Sequence, residues 1–365
     1  MKSLINRNIL DLQPYQAGKP IDEIRRKFGL DKIVKLASNE NPFPIPENVK
    51  ESICKQLDMV NRYPASDSYY LKNRIAEYNG VEPENVLVGA GSVEIIKMIV
   101  KTFIKPGEKV ITSEKSFLMY KIATIENFGK ESYIEIPMDD KFRFDLDAIN
   151  DALKDDVKVI FLTNPNNPTG TEIESQKIID FIEKVPESKI IVLDNAYQEY
   201  VEDQDNYFDA LDMVKTKKNL IILRTFSKIY GLAGLRVGYA VGSEDVISYL
   251  GRVKPPFNVT RLAQNAALES LKNDDFMLYS YKKNLENKKK LIENLIKLKV
   301  NVIPSETNFL MFFPDTDIDR LNDNLLKEGV IIRPLKAFGV PDAMRVTVGT
   351  QEDNDFFIKI LKKYI

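Results

Sequence analysis

Histidine is absent from the 365-residue chain, tryptophan is absent as well, and Cys54 is the single cysteine. The lack of histidine excludes Ser-His-Asp and Cys-His nucleophiles, His-ligated metal centres and the usual general base near neutral pH. If the chain is an enzyme, its proton transfers must fall to lysine, tyrosine, aspartate, glutamate or a cofactor. One cysteine cannot form an intramolecular disulfide, which favours a reducing cytoplasm.

An excess of one charge sign and long apolar runs are also missing. The 52 basic and 54 acidic residues give a formal net charge of −2, and this balance does not indicate nucleic acid or an anionic membrane as a partner. No apolar run approaches the ~20 residues of a membrane-spanning helix, and the N-terminus lacks a signal peptide's apolar core. No metal-ligand spacing is present either. We therefore expect a globular, cytoplasmic protein.

The middle of the chain alternates short β-branched runs with amphipathic helical patterns. This alternation predicts an α/β protein whose mostly parallel central sheet carries helices on both faces. The runs lie at residues 85–88, 109–112, 133–136, 157–162, 189–193, 219–223 and 237–241.

The pattern changes after Pro255 and Pro256, where a long helical region leads to three short strand-like runs and a terminal helix. This order is typical of a smaller α+β unit. We predict an N-terminal arm at residues 1–30, a large domain at 31–255 and a small domain at 256–365.

Four of the strand-like runs end in clusters of polar residues. Ligands of open α/β sheets bind beyond the carboxyl ends of the strands, so we expect the clusters to form one site. Each cluster alone has an ordinary explanation, as a tight turn, a helix cap or a solvated charge. The clusters lie at residues 89–92, 163–170, 194–197 and 224–228, and Arg236 follows the last of them.

Together the clusters supply the groups that pyridoxal phosphate requires: a lysine for an imine, a carboxylate for the ring nitrogen, a phenol and an amide for the ring oxygen, and an arginine for the phosphate. Their order is Asn-Pro-x-Gly, Asp-x-x-Tyr, Ser-Lys, then an arginine eight residues after the lysine. This order resembles the fold-type I pyridoxal-phosphate aminotransferases, over nearly the whole chain. Residues 36–46, 62–64, 231–236, 256–259 and 345–349 further resemble the histidinol-phosphate aminotransferase family.

That resemblance implies a homodimeric enzyme of histidine biosynthesis. Its ping-pong reaction would convert L-histidinol phosphate and 2-oxoglutarate to imidazole acetol phosphate and L-glutamate. Lys228 would hold the cofactor as a Schiff base and, once released, act as the acid–base group. Asp194 would face the pyridine nitrogen, and Tyr197 and Asn167 would bind the ring oxygen.

The resemblance also implies the surroundings of the cofactor's phosphate and ring. Phe117 would stack on the ring, although the family usually has tyrosine there. Tyr63 would reach the cofactor phosphate of the neighbouring subunit, which makes the homodimer necessary for activity. The groups around the phosphate within one subunit would be Ser92, Val93, Thr225, Ser227 and Arg236.

Substrate binding is assigned by the same resemblance. Arg345 resembles the arginine that binds the α-carboxylate of glutamate, while Arg333 and Tyr15 resemble groups that bind the phosphate of histidinol phosphate. Asn39 would line the substrate cavity, where Asn167 would also contribute. Arg333 can also be a salt-bridged strand end, and Tyr15 a packing residue of the arm.

Two other kinds of function stay open from the sequence. The same fold and cofactor could serve an aromatic amino acid, another small phosphorylated amine or a phospho-amino-acid decarboxylase, because Arg333 and Arg345 fit any substrate with two anionic ends. Consumption of 2-oxoglutarate or release of carbon dioxide separates these reactions. A catalytically silent protein of this fold would be expected to lose Lys228 or Asp194, and both are present.

Overall fold

A computed structural model of the protein describes residues 4–14, 18–204 and 206–365. The α-helices in these ranges are α1 Ile21–Phe28, α2 Glu47–Cys54, α3 Tyr69–Asn79, α4 Ser92–Phe103, α5 Leu118–Phe128, α6 Leu146–Asp151, α7 Ser175–Lys184, α8 Glu244–Val253, α9 Arg261–Ser270, α10 Asp274–Lys297, α11 Ile318–Lys327 and α12 Gln351–Leu361. The strands are β1 Val34–Lys35, β2 Val86–Gly89, β3 Lys109–Ser113, β4 Tyr133–Ile136, β5 Val157–Thr163, β6 Ile190–Asp194, β7 Leu220–Thr225, β8 Gly238–Gly242, β9 Asn301–Val302, β10 Phe309–Phe313, β11 Val330–Ile331, β12 Arg333–Pro334 and β13 Met344–Thr347.

The central sheet has seven strands in the order β2-β8-β7-β6-β5-β3-β4. Only β8 runs antiparallel to its neighbours, β2 and β7, and the remaining pairs are parallel. Every residue of β6 and β7 except Ile190 is buried, as expected for strands that helices cover on both faces. The predicted α/β class with a mostly parallel sheet is confirmed.

Two apolar cores lie on the two faces of this sheet. Successive side chains of a strand point to opposite faces, so Ile160 and Leu162 join one buried cluster while Val159 and Phe161 join the other. Full burial of each such side chain stabilises the fold by roughly 1.5–3 kcal/mol. The sheet is therefore a rigid platform for whatever its strand ends carry.

Helix α4 follows β2 and turns its N-terminus toward the carboxyl ends of the parallel strands. Gly91 precedes it with φ +79°, a left-handed conformation that glycine adopts without steric cost. Ile95, Ile96, Ile99 and Val100 are completely buried, and this spacing places them on one face of the helix. The buried face fixes the direction in which the N-terminal N–H groups of α4 point.

A second, antiparallel sheet has the order β12-β13-β10-β9, and β1 pairs in parallel with β11 beside it. Ile24 of α1 packs with Leu326 and Ile331 near this second sheet. Helix α9 packs instead against α2 and α3. The predicted limits at residues 30 and 255 stay predictions. Within the described ranges no helix is long and apolar enough to cross a membrane.

Glu172 lies in the loop after β5, close to the chain that leads into β10. The backbone N–H of Glu306 donates to the carbonyl oxygen of Gly170 at 2.8 Å, so the two segments are in contact. Desolvation, together with the charges of Glu306 and Asp203, raises the pKa of Glu172 to about 7, and the charge of Lys288 opposes this shift.

This shift predicts that Glu172→Gln increases the stability of the fold, relative to the unmodified protein, more at high pH than at low pH. A carboxyl whose pKa is raised in the folded state contributes to stability while it is protonated. This contribution is fully present below the unfolded-state pKa of about 4.3, and it is lost as the pH rises through about 7. We therefore expect the melting temperature of the variant, relative to the unmodified protein, to rise by about 1 °C between pH 5 and pH 8. Thermal unfolding monitored by circular dichroism at both pH values measures this difference. The exposed Glu187→Gln serves as control, and an equal change in both variants would contradict the assignment.

Candidate active site

The four polar clusters meet at one cavity of about 230 Å³ beyond the carboxyl ends of β5, β6 and β7. Thr163 and Asp194 end neighbouring strands and are register partners, which brings their side chains to the same edge. The cavity brings together the sequence-predicted residues Asn39, Ser92, Val93, Phe117, Asn167, Asp194, Tyr197, Thr225, Ser227, Lys228, Arg236, Arg333 and Arg345.

Asp194 is a buried carboxylate at the wall of the cavity, 2% exposed. Its Oδ2 accepts a hydrogen bond from the Tyr120 hydroxyl at 2.8 Å, and its Oδ1 accepts one from the N–H of Ala196 at 3.2 Å. Desolvation raises the pKa of Asp194 to about 6, although both hydrogen bonds and the charge of Lys228 act to lower it. A cationic group placed beside this carboxylate would be strongly attracted to it.

Tyr120 is the residue that the strand-end pattern misses. Its hydroxyl lies 2.8 Å from both Asp194 Oδ2 and Thr163 Oγ1, and its ring stacks on Phe161 with centroids 4.3 Å apart. It comes from α5 rather than from a strand end. The available signal is its position three residues after Phe117, which places the two rings on one side of the helix start. Their centroids are 5.7 Å apart.

Lys228 carries the amine of the site. Its Nζ donates to the carbonyl oxygen of Ser38 at 3.2 Å and lies 5.4 Å from the ring centroid of Tyr197. Desolvation is the largest cause that lowers the pKa of Lys228 to about 7, and the positive charge of Arg345 is the next largest. The negative charge of Glu40 opposes this shift. A large fraction of the amine is therefore neutral near pH 7, which is the form that attacks a carbonyl carbon.

Tyr197 and Asn167 face the cavity with defined hydrogen-bond roles. The Tyr197 oxygen accepts from Asn39 Nδ2 at 2.9 Å, and burial raises the pKa of Tyr197 to about 12, so its hydroxyl keeps its proton. The Asn167 Oδ1 accepts a hydrogen bond from Arg345 Nη1. With its oxygen engaged in this way, Asn167 presents its NH₂ group as a donor.

An anion cradle lies where α4 begins. A Cβ at Gly91 would come within 2.6 Å of Arg236 Nη2, so the missing side chain leaves room for the guanidinium. Arg236 Nη1 donates to Ser227 Oγ at 3.2 Å, and the N–H of Ser227 donates to Thr225 Oγ1 at 3.1 Å. A helix N-terminus, hydroxyl groups and an arginine fork together suit a phosphate.

Two arginines occupy the other end of the cavity. Arg333 and Arg345 are direct cross-strand partners in β12 and β13, and both are buried. Arg345 Nη2 also donates to the carbonyl oxygen of Ala37 at 2.9 Å. Two buried guanidinium groups at one end of a cavity favour a ligand with anionic groups.

Two sequence-predicted residues lie elsewhere. Tyr63 is 78% exposed and stacks on Phe257, with ring centroids 4.5 Å apart, beside a separate surface cavity. Tyr15 lies outside the described residues. Among the residues described, no group of His, Cys, Asp and Glu side chains could hold a metal ion.

These features fit pyridoxal phosphate, the group that the sequence resemblance implies. A buried carboxylate with a raised pKa suits a ring nitrogen that becomes cationic, and a partly neutral amine suits an aldehyde. The space left by Gly91 beside Arg236 suits the phosphate.

Comparisons with known proteins agree with this chemistry. The family model "Aminotransferase class I and II" matches residues 31–361. Histidinol-phosphate aminotransferase 2 of Haemophilus influenzae (strain 86-028NP) is 40% identical over 365 residues, which cover 100% of this chain and 98% of that protein. Histidinol-phosphate aminotransferase of Anaeromyxobacter sp. (strain Fw109-5) is 41% identical over 356 residues, covering 96% of each chain.

The fold is also found among solved structures. Histidinol-phosphate aminotransferase from Sinorhizobium meliloti, in complex with pyridoxal-5'-phosphate, superposes with a TM-score of 0.88 at 23% identity, covering 100% of this chain and 99% of that one. The resemblance inferred from the motifs is confirmed by the family model and the full-length relatives. The chain therefore belongs to the class I and II aminotransferase family.

Proposed function

We propose that this protein is a pyridoxal-phosphate-dependent aminotransferase of histidine biosynthesis. It converts L-histidinol phosphate and 2-oxoglutarate to imidazole acetol phosphate and L-glutamate. The observation that carries the proposal is one cavity lined by Asp194, Lys228 and Arg236 together with the two arginines Arg333 and Arg345. Full-length identity of about 40% to proteins named for this activity supports the choice of substrate.

The site residues divide the binding of the cofactor among them. Pyridoxal phosphate supplies an aldehyde for the amino group and a ring that withdraws electrons from the reacting carbon. Asp194 holds the ring nitrogen in its protonated form, and the nearby cation in turn lowers the pKa of this carboxyl. The Tyr197 hydroxyl and the Asn167 NH₂ donate to the ring oxygen, and Phe117 packs on the ring face.

The phosphate end is held by a separate set of groups. Arg236 offers its planar fork, the N-terminal N–H groups of α4 at Ser92 and Val93 point at the anion, and Thr225 and Ser227 add hydroxyl groups. This set anchors the cofactor independently of the ring contacts.

Lys228 moves the proton of the reaction. Its Nζ would accept the proton that leaves the α-carbon of the amino substrate and would carry it for the second proton transfer of the reaction. The lowered pKa of the Lys228 amine makes this base available near neutral pH without histidine. The hydrogen bond from Tyr120 keeps the Asp194 carboxylate oriented while the proton moves.

Arg333 and Arg345 bind the anionic end of either substrate. Glutamate brings two carboxylates, whereas histidinol phosphate brings one phosphate, so the same pair of guanidinium groups must accept both chemistries. The backbone N–H of Asn39 donates to the Thr347 hydroxyl at 2.9 Å, its side-chain amide donates to Tyr197, and the residue lines the cavity. Its amide therefore limits the shape of the substrate.

A homodimer completes the site, as part of the same proposal. Tyr63 and Phe257 form an exposed stacked pair, and the exposed side chain of Val60 borders the same surface cavity. Large exposed aromatic and aliphatic patches mark protein interfaces. We place the dimer in the cytoplasm, which the single exposed cysteine supports.

Substrate choice is tested by steady-state assays with 2-oxoglutarate as acceptor. We expect kcat/KM for L-histidinol phosphate to exceed that for L-histidinol or L-phenylalanine at least about 10²-fold, because two charge-assisted contacts to phosphate are lost without it. Glutamate formation and carbon dioxide release are measured together, with O-phospho-L-threonine as the decarboxylase substrate. Equal rates with and without the phosphate, or release of carbon dioxide, would contradict the proposal.

The role of Tyr63 is tested by mixing two inactive variants. Lys228→Ala removes the catalytic amine, and Tyr63→Ala removes the residue given to the neighbouring subunit. After subunits exchange, a mixed dimer has one intact site, so random pairing restores about one quarter of the sites of the unmodified dimer. Transaminase activity during mixing measures the recovery. The control is a variant that carries both Lys228→Ala and Lys288→Met in one chain. Lys288 is a buried lysine outside the cavity, so this variant should stay inactive. If Tyr63 served its own subunit, mixing would restore nothing.

A further inference from the structure

We propose that Phe338 is a positioning residue for substrate specificity, because its ring holds Arg333 and Arg345 in one arrangement. The inference rests on the proposed function only in naming the substrates. Phe338 does not line the cavity, whereas Arg333 and Arg345 do. The role given to Phe338 is to fix the position of these two cations relative to each other.

The arrangement needs an explanation because it is electrostatically unfavourable. Arg333 and Arg345 lie directly opposite each other in an antiparallel strand pair, with only 7% and 5% of their surfaces exposed. Like charges in opposite positions repel each other, and burial weakens the screening by water. Some part of the surrounding structure must offset this repulsion before an anionic substrate arrives.

The ring of Phe338 is positioned to do so. Its centroid lies 5.7 Å from Cζ of Arg333 and 6.0 Å from Cζ of Arg345, so one aromatic ring is within reach of both cations. The electron-rich face of an aromatic ring attracts a guanidinium at such distances. Within the described part of the chain, Phe338 is a ring that both arginines share.

Arg345 is held from a second side as well. Its Cζ lies 5.1 Å from the ring centroid of Phe309, and Tyr197 meets Phe309 edge-on, with centroids 5.2 Å apart. A continuous series of contacts therefore runs from the cofactor-binding Tyr197 through Phe309 and Arg345 to Phe338. The position of the substrate anion is in this way related to the position of the reacting carbon.

Phe338 itself is held by its turn and its core. It ends a short 3₁₀ helix, Lys336–Phe338, and its N–H donates to the carbonyl oxygen of Leu335 at 2.8 Å. Gly339 follows with φ +79°, which reverses the chain at no steric cost. The ring packs in a buried cluster with Met311, Leu335, Val340 and Ala343. A ring fixed in this way can restrict the arginines, whereas a mobile one could not.

The test compares Phe338→Leu with Phe338→Tyr and with a matched control. Leucine keeps most of the volume but lacks the aromatic face, while tyrosine keeps that face. Phe357→Leu is the control, because Phe357 is completely buried near the second sheet and its aromatic contact is with Phe312. Should Phe338→Leu fail to fold, Phe338→Met replaces it.

Two readouts separate a positioning role from a structural one. We expect Phe338→Leu to raise the KM for histidinol phosphate and the dissociation constant of the dianion glutarate by about 5- to 30-fold, with kcat and pentanoate binding changed by less than about 3-fold. Phe338→Tyr should stay within about 3-fold of the unmodified enzyme. Phe357→Leu should lower the melting temperature without changing either constant.

Equal weakening of glutarate and pentanoate binding, or the same KM change in Phe357→Leu, would overturn the role of Phe338. Glutarate binding to the cofactor-loaded protein is measured by calorimetry and needs no turnover. If histidinol phosphate is not converted but Phe338→Leu selectively weakens glutarate binding, the proposed substrate fails and the inference about Phe338 stands.

Discussion

A carboxylate buried at the end of a parallel strand is the constraint on which the rest of the site depends. Asp194 is almost inaccessible, and desolvation raises its pKa to about 6 despite two hydrogen bonds and the charge of Lys228, so the folded protein carries an acid that a cationic neighbour would stabilise in its charged form. Tyr120 and the N–H of Ala196 orient it without neutralising it. Burying an acid in this way is costly unless a partner arrives, and the ring nitrogen of pyridoxal phosphate is a partner of the right charge.

The cations of the site are distributed so that they do not neutralise Asp194 in advance. Arg236 lies at the α4 N-terminus, and Arg333 and Arg345 lie across the cavity on a different sheet. After desolvation, the positive charges of Arg345 and Arg236 contribute to the lowered pKa of Lys228. The same electrostatic field therefore binds anions at both ends and leaves the central amine partly neutral. This separation explains how acid–base chemistry near pH 7 is available to a chain without histidine.

The central features of the fold and most of the candidate site were predictable from the sequence, because each depends on local patterns. Strand-like runs gave the sheet, and parallel strands necessarily bring residues such as Asp194 and Lys228 to one edge. Tyr120 and Phe338 were not predictable in this way, since they contact residues of the cavity from a helix and from a turn near the second sheet. Only three-dimensional packing brings the Tyr120 hydroxyl to Asp194 and the Phe338 ring to two arginines. The proposed role of Tyr63 depends on a second subunit, which no single chain contains.

The most direct test of the account is the visible absorption spectrum of the purified, cofactor-loaded protein, recorded before and after L-histidinol phosphate is added without any keto acid. The account predicts that the visible band of the bound cofactor is lost in proportion to the substrate added, and that 2-oxoglutarate restores it. A band that persists with L-histidinol phosphate but is lost with L-glutamate would contradict the proposed substrate while leaving the aminotransferase chemistry in place. A purified protein that binds no pyridoxal phosphate at all would contradict the account of Asp194 and Lys228 itself.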